Sequence, residues 1–106
     1  MAGDVTDPVV RKLIAALNAG DRAALFGVLT PDATMSDDGT DRDLTEWVDR
    51  EIFDSNGHLD VESATDDGRS IVANYRNDTW GAMRTVWHFT IEGDRISRID
   101  TGQAAG

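Results

Sequence analysis

Residues 58–103 read HLDVESATDDGRSIVANYRNDTWGAMRTVWHFTIEGDRISRIDTGQ, and the alternation within this stretch decides the fold. Apolar and polar residues exchange with a period of two, the signature of strands with one buried face. Four strands are expected, at His58–Thr65, Arg69–Asn77, Ala82–Glu92 and Arg95–Gln103. Their separators, Asp66-Asp67-Gly68, Asp78 to Gly81 and Gly93-Asp94, are all turn-forming. Connections this short join antiparallel neighbours.

Upstream of His58 the period changes. Asp7-Pro8 is a helix start, because Asp accepts from free N–H groups and Pro suits the first helical position. Val9, Val10, Leu13, Ile14 and Leu17 then form one apolar stripe, and Gly20 can take the left-handed conformation that closes the helix. Asp21 caps a short second helix carrying Leu25, Phe26, Val28 and Leu29, stopped by Thr30-Pro31-Asp32. A short strand is expected over Ala33–Asp37, with Asp38-Gly39 as a turn. Asp43 followed by Glu46 opens a third helix, with Leu44, Trp47, Val48 and Ile52 on one face and Asn56-Gly57 at its end. Helices in the first half and consecutive strands in the second indicate an α+β architecture, a curved antiparallel sheet with helices on one face.

A chain of 106 residues is expected to form one domain over 1–106, with its core between about 8 and 103. It has no cysteine, which suits a reducing cytoplasmic setting and removes thiol chemistry. The opening MAGDVTDPVV has no basic segment and no long apolar run, so no secretory leader is expected. No stretch has the roughly 20 apolar residues of a membrane helix. The formal charge is −10, the pI about 4.3, and Lys12 is the only lysine. Nucleic acid and anionic membranes are therefore poor partners.

Val9-Val10 through Ala15-Ala16-Leu17-Asn18-Ala19-Gly20-Asp21, then LTPDATMSD at 29–37, resembles the opening of ketosteroid isomerases and their SnoaL-like relatives. Trp87-His88-Phe89, Glu92-Gly93-Asp94 and Arg95-Ile96 resemble the closing hairpin of the same nuclear transport factor 2-like superfamily. The resemblance covers about residues 8–103. It implies a cone of curved antiparallel sheet on three N-terminal-half helices, around a small-molecule pocket. Enzymes and non-enzymes share this fold, so the motif speaks to fold rather than to one activity.

The resemblance nominates two catalytic sets. Asp37 matches the general-base aspartate of ketosteroid isomerases, a carboxylate able to shuttle a proton between carbons. Its other reading is a turn residue before Asp38-Gly39. The two acidic donors that hold the enolate oxygen in those enzymes match Leu13 and Trp87 here, which do not replace them. Arg76 and Asp78 resemble the Arg-x-Asp of limonene epoxide hydrolases, with Asp100 as the second acid. Arg76 and Asp78 share a strand face by parity. An ungapped alignment turns Thr101 inward instead of Asp100, which fits only across a bulge. A structural ion pair at a strand end is the other reading of this set.

Met83, Thr85, Trp87, Phe89 and Ile91 share one strand face, which the resemblance makes concave. With Leu13, Leu17, Trp47, Tyr75, Trp80 and Thr101, its residues are either pocket lining or core. His88 has the opposite parity and shares the convex face with Arg84 and Val86, where relatives often dimerise. His58 and His88 lie on different strands, and the Asp37–Asp43 run lacks calcium-loop spacing, so no metal is expected. No cofactor is implied. The expected function is binding of a small apolar molecule by a homodimeric domain. The alternative is an isomerase, polyketide cyclase or epoxide hydrolase using Asp37 or Arg76/Asp78, and a third reading is a dimerisation module with a vestigial pocket.

Overall fold

The computed structural model describes residues 5, 7–65 and 68–104; Asp66 and Asp67 of the expected second turn, like positions 1–4, 6, 105 and 106, lie outside the described residues. Helix α1 spans Pro8–Ala19, with Pro8 in its first turn. The Asp7 carboxylate accepts from the N–H groups of Val9 (2.9 Å) and Val10 (3.1 Å), which have no partner inside the helix. Gly20 at φ 69° ends α1, and the stripe Val9, Val10, Leu13, Ala16 and Leu17 is buried. Helix α2 is Arg22–Gly27, capped by Asp21. Helix α3, Leu44–Val48, is capped by Asp43 and runs directly into a π-turn at Asp49–Phe53. There Asp54 N–H donates to Asp49 O (2.8 Å) and Gly57 N–H to Ile52 O (2.7 Å), each five residues back.

The described residues form six strands, β1 Leu29–Asp37, β2 Thr40–Arg42, β3 His58–Thr65, β4 Ser70–Asn77, β5 Gly81–Glu92 and β6 Arg95–Gln103. Strands β3 to β6 follow the expected ranges closely, whereas Leu29 and Thr30-Pro31-Asp32, expected on and after the second helix, belong to β1. They form one sheet in the order β2-β1-β6-β5-β4-β3. All neighbours are antiparallel except β1 and β6, which are parallel. No short turn links β1 to β6, so nothing local dictates their relative direction. The unexpected β2 arises because Asp38 (φ 51°) and Gly39 (φ 82°) both take positive φ. That is the two-residue hairpin geometry that Asp-Gly favours. Strand β1 starts earlier than expected, and its register with β6 shifts between Leu29 and Thr34. Pro31, which has no N–H to donate, lies in that shift.

One face of the sheet packs on the helices. Its rows run across strands: Met35–Ile99–Phe89, Asp37–Thr101–Trp87–Ile71, and Thr85–Ala73–Val61. Phe89 is fully buried and stacks on Trp87 (centroids 6.3 Å apart, 16° between planes). At the β3 edge, Asn18 of α1 acts as a surrogate strand: its Nδ2 donates to Leu59 O (2.9 Å), and its Oδ1 accepts from Leu59 N–H (2.7 Å). Among the described residues, no helix is long and apolar enough to cross a membrane.

Candidate functional site

The helix-facing side of the sheet is solid at the α1 end and hollow at the other. Leu13 and Leu17 are 1% exposed and Phe89 is fully buried, so these three fill the core. Past them a cavity of about 270 Å³ opens beside α3 and the π-turn, lined by Asp37, Trp47, Glu51, Tyr75, Asn77, Trp80, Met83, Thr85, Trp87 and Thr101. Asp38, Arg42, Arg50, Gly102 and Gln103 complete its lining.

Strand parity brings Asp37, Thr101 and Trp87 into one row, because Asp37 pairs with Thr101 and Thr101 with Trp87. Helix α3 carries Trp47 to the same place, where its Nε1–H donates to Asp37 Oδ2 (3.2 Å). Trp47 meets Trp87 edge-on (6.1 Å, 71°), and Tyr75 tilts against Trp87 (6.0 Å, 60°). The three rings thus form mutually inclined walls, with Asp37 beside them and Trp80, 63% exposed, at the edge.

The π-turn supplies the opposite wall. Glu51 is among the last carbonyls of this helical segment, a position that leaves an acceptor to be satisfied from outside. Its carbonyl accepts from Tyr75 Oη and from Asn77 Nδ2 (2.8 Å). Its carboxylate accepts from Trp80 Nε1 (2.9 Å) and lies 3.6 Å from Arg50 Nε. Burial pushes the Tyr75 phenol up to about 12, with the Asn77 contact opposing the rise and Glu51 adding to it. Tyr75 therefore stays protonated and donating in neutral solution.

The donors of Thr85, Thr101 and Asn77 are already engaged. Thr85 Oγ1 donates to Ala73 O (3.1 Å) while accepting from Trp87 Nε1 (2.8 Å). Thr101 Oγ1 donates to Val86 O (3.0 Å). Asn77 uses its amide nitrogen on Glu51 and its oxygen on Trp80 N–H (2.7 Å). Asp37 Oδ1, by contrast, accepts no hydrogen bond among the described residues. The cavity therefore offers a ligand ring faces and carboxylate oxygens, but few side-chain donors.

Arg76, Asp78 and Asp100 are not brought together. Tyr75 and Asn77 face inward, so parity turns Arg76 outward, opposite His58 of β3. Asp78 sits in the β4–β5 turn, accepting from Asn56 Nδ2 (2.7 Å). Asp100 faces the outer side, accepting from Ser36 Oγ (2.6 Å) and Arg98 Nε (3.0 Å). A β5–β6 register shift does occur, between Thr90 and Ile91, but beyond it Thr101 is the inward residue. The cavity residues Glu51, Asn77, Arg42 and Arg50 were not expected from sequence. Asn77 was legible, since it continues the Ala73–Tyr75 parity. A wider, shallower groove of about 620 Å³ lies on the outer sheet face, lined by Ser70, Val86, His88 and Asp100 among others.

No protein-family model and no curated protein sequence matches the chain. Solved structures do. A nuclear transport factor 2-like protein of unknown function from Cytophaga hutchinsonii aligns at TM-score 0.74 and 16% identity, over 98% of this chain and 95% of that one. A proposed polyketide cyclase from Sinorhizobium meliloti aligns at 0.70 and 22%, over 88% and 92%. A protein of ketosteroid isomerase-like fold from Catenulispora acidiphila, solved in complex with trimethylamine, aligns at 0.71 and 21%, over 92% and 85%. The inclined aromatic cavity thus sits within an α+β cone of the nuclear transport factor 2-like fold, which this chain shares with polyketide cyclase-like and ketosteroid isomerase-like proteins.

Proposed function

We propose that this chain binds a small molecule with substantial apolar surface inside the cone, with Asp37 meeting its polar end. The observation that carries this reading is the cavity itself: four aromatic rings and Met83, with the half-buried Asp37 and Glu51 carboxylates in the same lining. Apolar walls with few polar groups are what small-molecule sites present. The trimethylamine complex of the Catenulispora protein supports the idea that this fold can hold a small guest. A panel of small hydrophobic compounds, screened by thermal denaturation, tests it. Binders should raise the melting temperature with the logarithm of their concentration. No shift across the panel refutes the reading.

A second reading, acid–base catalysis on an enolisable or cyclising substrate, is favoured by the uncommitted Oδ1 of Asp37. An enolate intermediate needs donors aimed at its oxygen, and removing one such donor commonly slows an enzyme by about a hundredfold or more. Here Leu13 is core, and the Trp87 N–H is spent on Thr85. Binding is accordingly the primary reading. Turnover abolished by Asp37→Asn at unchanged melting temperature would reverse that order. We also propose that a second copy packs on the outer sheet face around Val86 and His88.

A further inference from the structure

We infer that the cavity is selective for a small organic cation, an ammonium nitrogen carrying alkyl groups, with Asp37 as its counter-ion and Trp47, Tyr75 and Trp87 as its walls. This rests on the binding function proposed above and names the chemistry of the guest.

Three independent observations converge on a cation. The first is the state of the aromatic edges. The three indole N–H groups donate to Asp37, Glu51 and Thr85, and the Tyr75 hydroxyl donates to the Glu51 carbonyl. With those polar edges engaged, each ring has mainly its π face to offer, the negative pole of its quadrupole. A cation over such a face is attracted, most strongly by tryptophan.

The second is the donor inventory. Thr85 and Thr101 direct their hydroxyl hydrogens to main-chain carbonyls and Asn77 its amide to the Glu51 carbonyl. Beside the rings a guest rich in acceptors therefore meets few open donors, Arg42 and Gln103 lying toward the strand ends. Asp37 lines the same space, and its Oδ1 remains as an acceptor with no hydrogen bond among the described residues.

The third is charge. Asp37, Asp38 and Glu51 line the cavity against Arg42 and Arg50. Arg50 is already engaged by Glu46 (3.4 Å) and Glu51 (3.6 Å). Arg42 lies exposed on β2. The whole chain carries −10, a field that draws cations toward the mouth and repels anions.

The test uses the intact protein and two probes of nearly equal shape. Choline has a trimethylammonium head; 3,3-dimethylbutan-1-ol replaces its nitrogen by carbon and is uncharged. Calorimetric titration, with tryptophan fluorescence in parallel, should show choline binding about tenfold or more tighter, the scale of a desolvated cation–π contact. Asp37→Asn, which can still accept from Trp47, should remove most of choline's preference over the alcohol. Equal affinity for both probes overturns the cation assignment while leaving an apolar binding cavity. Tighter binding of 3,3-dimethylbutanoate, lost in Arg42→Ala, overturns it in favour of an anion site. Failure of all three probes to bind, when a larger neutral compound from the panel does, refutes the cation assignment alone. Failure of every compound refutes the binding function as well.

Discussion

Replacing Gly57 by alanine should disturb the cavity from behind. Gly57 lies outside the left-handed region, so the substitution brings no backbone strain. Its added Cβ would stand 2.5 Å from Tyr75 Oη, 3.2 Å from Tyr75 Cε1 and 3.1 Å from Ile52 Cα. Ordinary contact begins at 3.4 Å, so the phenol oxygen must retreat by about 0.9 Å. Gly57 itself cannot yield easily, since its N–H is tied to Ile52 O at 2.7 Å. Tyr75 is 4% exposed and packed on Trp87, so its retreat breaks the bond to the Glu51 carbonyl and crowds the indole. Overpacking costs about 1–3 kcal/mol. The lost hydrogen bond adds about 1 kcal/mol. A destabilisation of about 2–4 kcal/mol lowers the melting temperature by about 8–16 °C in a domain of this size. Urea unfolding followed by tryptophan fluorescence measures it. The mechanism is isolated by repeating the change in a Tyr75→Phe background, where the nearest clashing atom is gone. Gly57→Ala should cost about 1–2 kcal/mol less there. Equal costs in the two backgrounds would show that the phenol oxygen is not the obstacle.

Tyr75 is the only tyrosine, so its ionisation can be followed by ultraviolet absorbance without interference. Because burial raises the folded phenol from 10.0 to about 12, the unfolded chain ionises first. Stability should therefore be unaffected by this group below about pH 10 and decline as pH rises toward 12; a midpoint at the ordinary value refutes the buried, donating phenol. On the outer face, Val86 is 42% exposed amid the wide groove, and Val86→Arg should convert the proposed dimer to monomer in sedimentation velocity. An unchanged mass removes that face from the assembly.

The strands were legible because each exposes one face and buries the other, which writes period two into the sequence. β3 and β6 carry the expected ends, and β4 and β5 differ by one residue at their starts. The same parity pointed to Met83, Thr85 and Trp87, and the alignment of the closing hairpin to Thr101, all of which line the cavity. Arg76 and Asp78 were nominated by a motif and grouped by parity, but the same parity that buries Tyr75 and Asn77 turns Arg76 outward, and Asp78 falls beyond the end of β4. The sequence sign for Asn77 was its place two residues after Tyr75, the only inward neighbour left before the turn. Glu51 and Arg50 were hidden for a different reason. A helical stripe read with a 3.6-residue period takes Ile52 inward, but the π-turn inserts an extra residue per turn and swings Glu51 toward the cavity. Nothing in the local composition announces that change. The parallel pairing of β1 with β6 was equally invisible, being a contact between segments about sixty residues apart.

The two margins of the sheet bear on how the protein behaves when crowded. An open strand edge invites other strands to add to it, the first step toward fibrous aggregates. Here one margin is β2, three exposed residues of which two are charged. The other is β3, where Asn18 occupies both main-chain groups of Leu59 and the pairing with β4 slips between Val61 and Ser63. Neither margin is a straight, unoccupied template, so growth by strand addition is discouraged at both ends. The proposed pairing through the broad outer surface, by contrast, would close on itself instead of propagating.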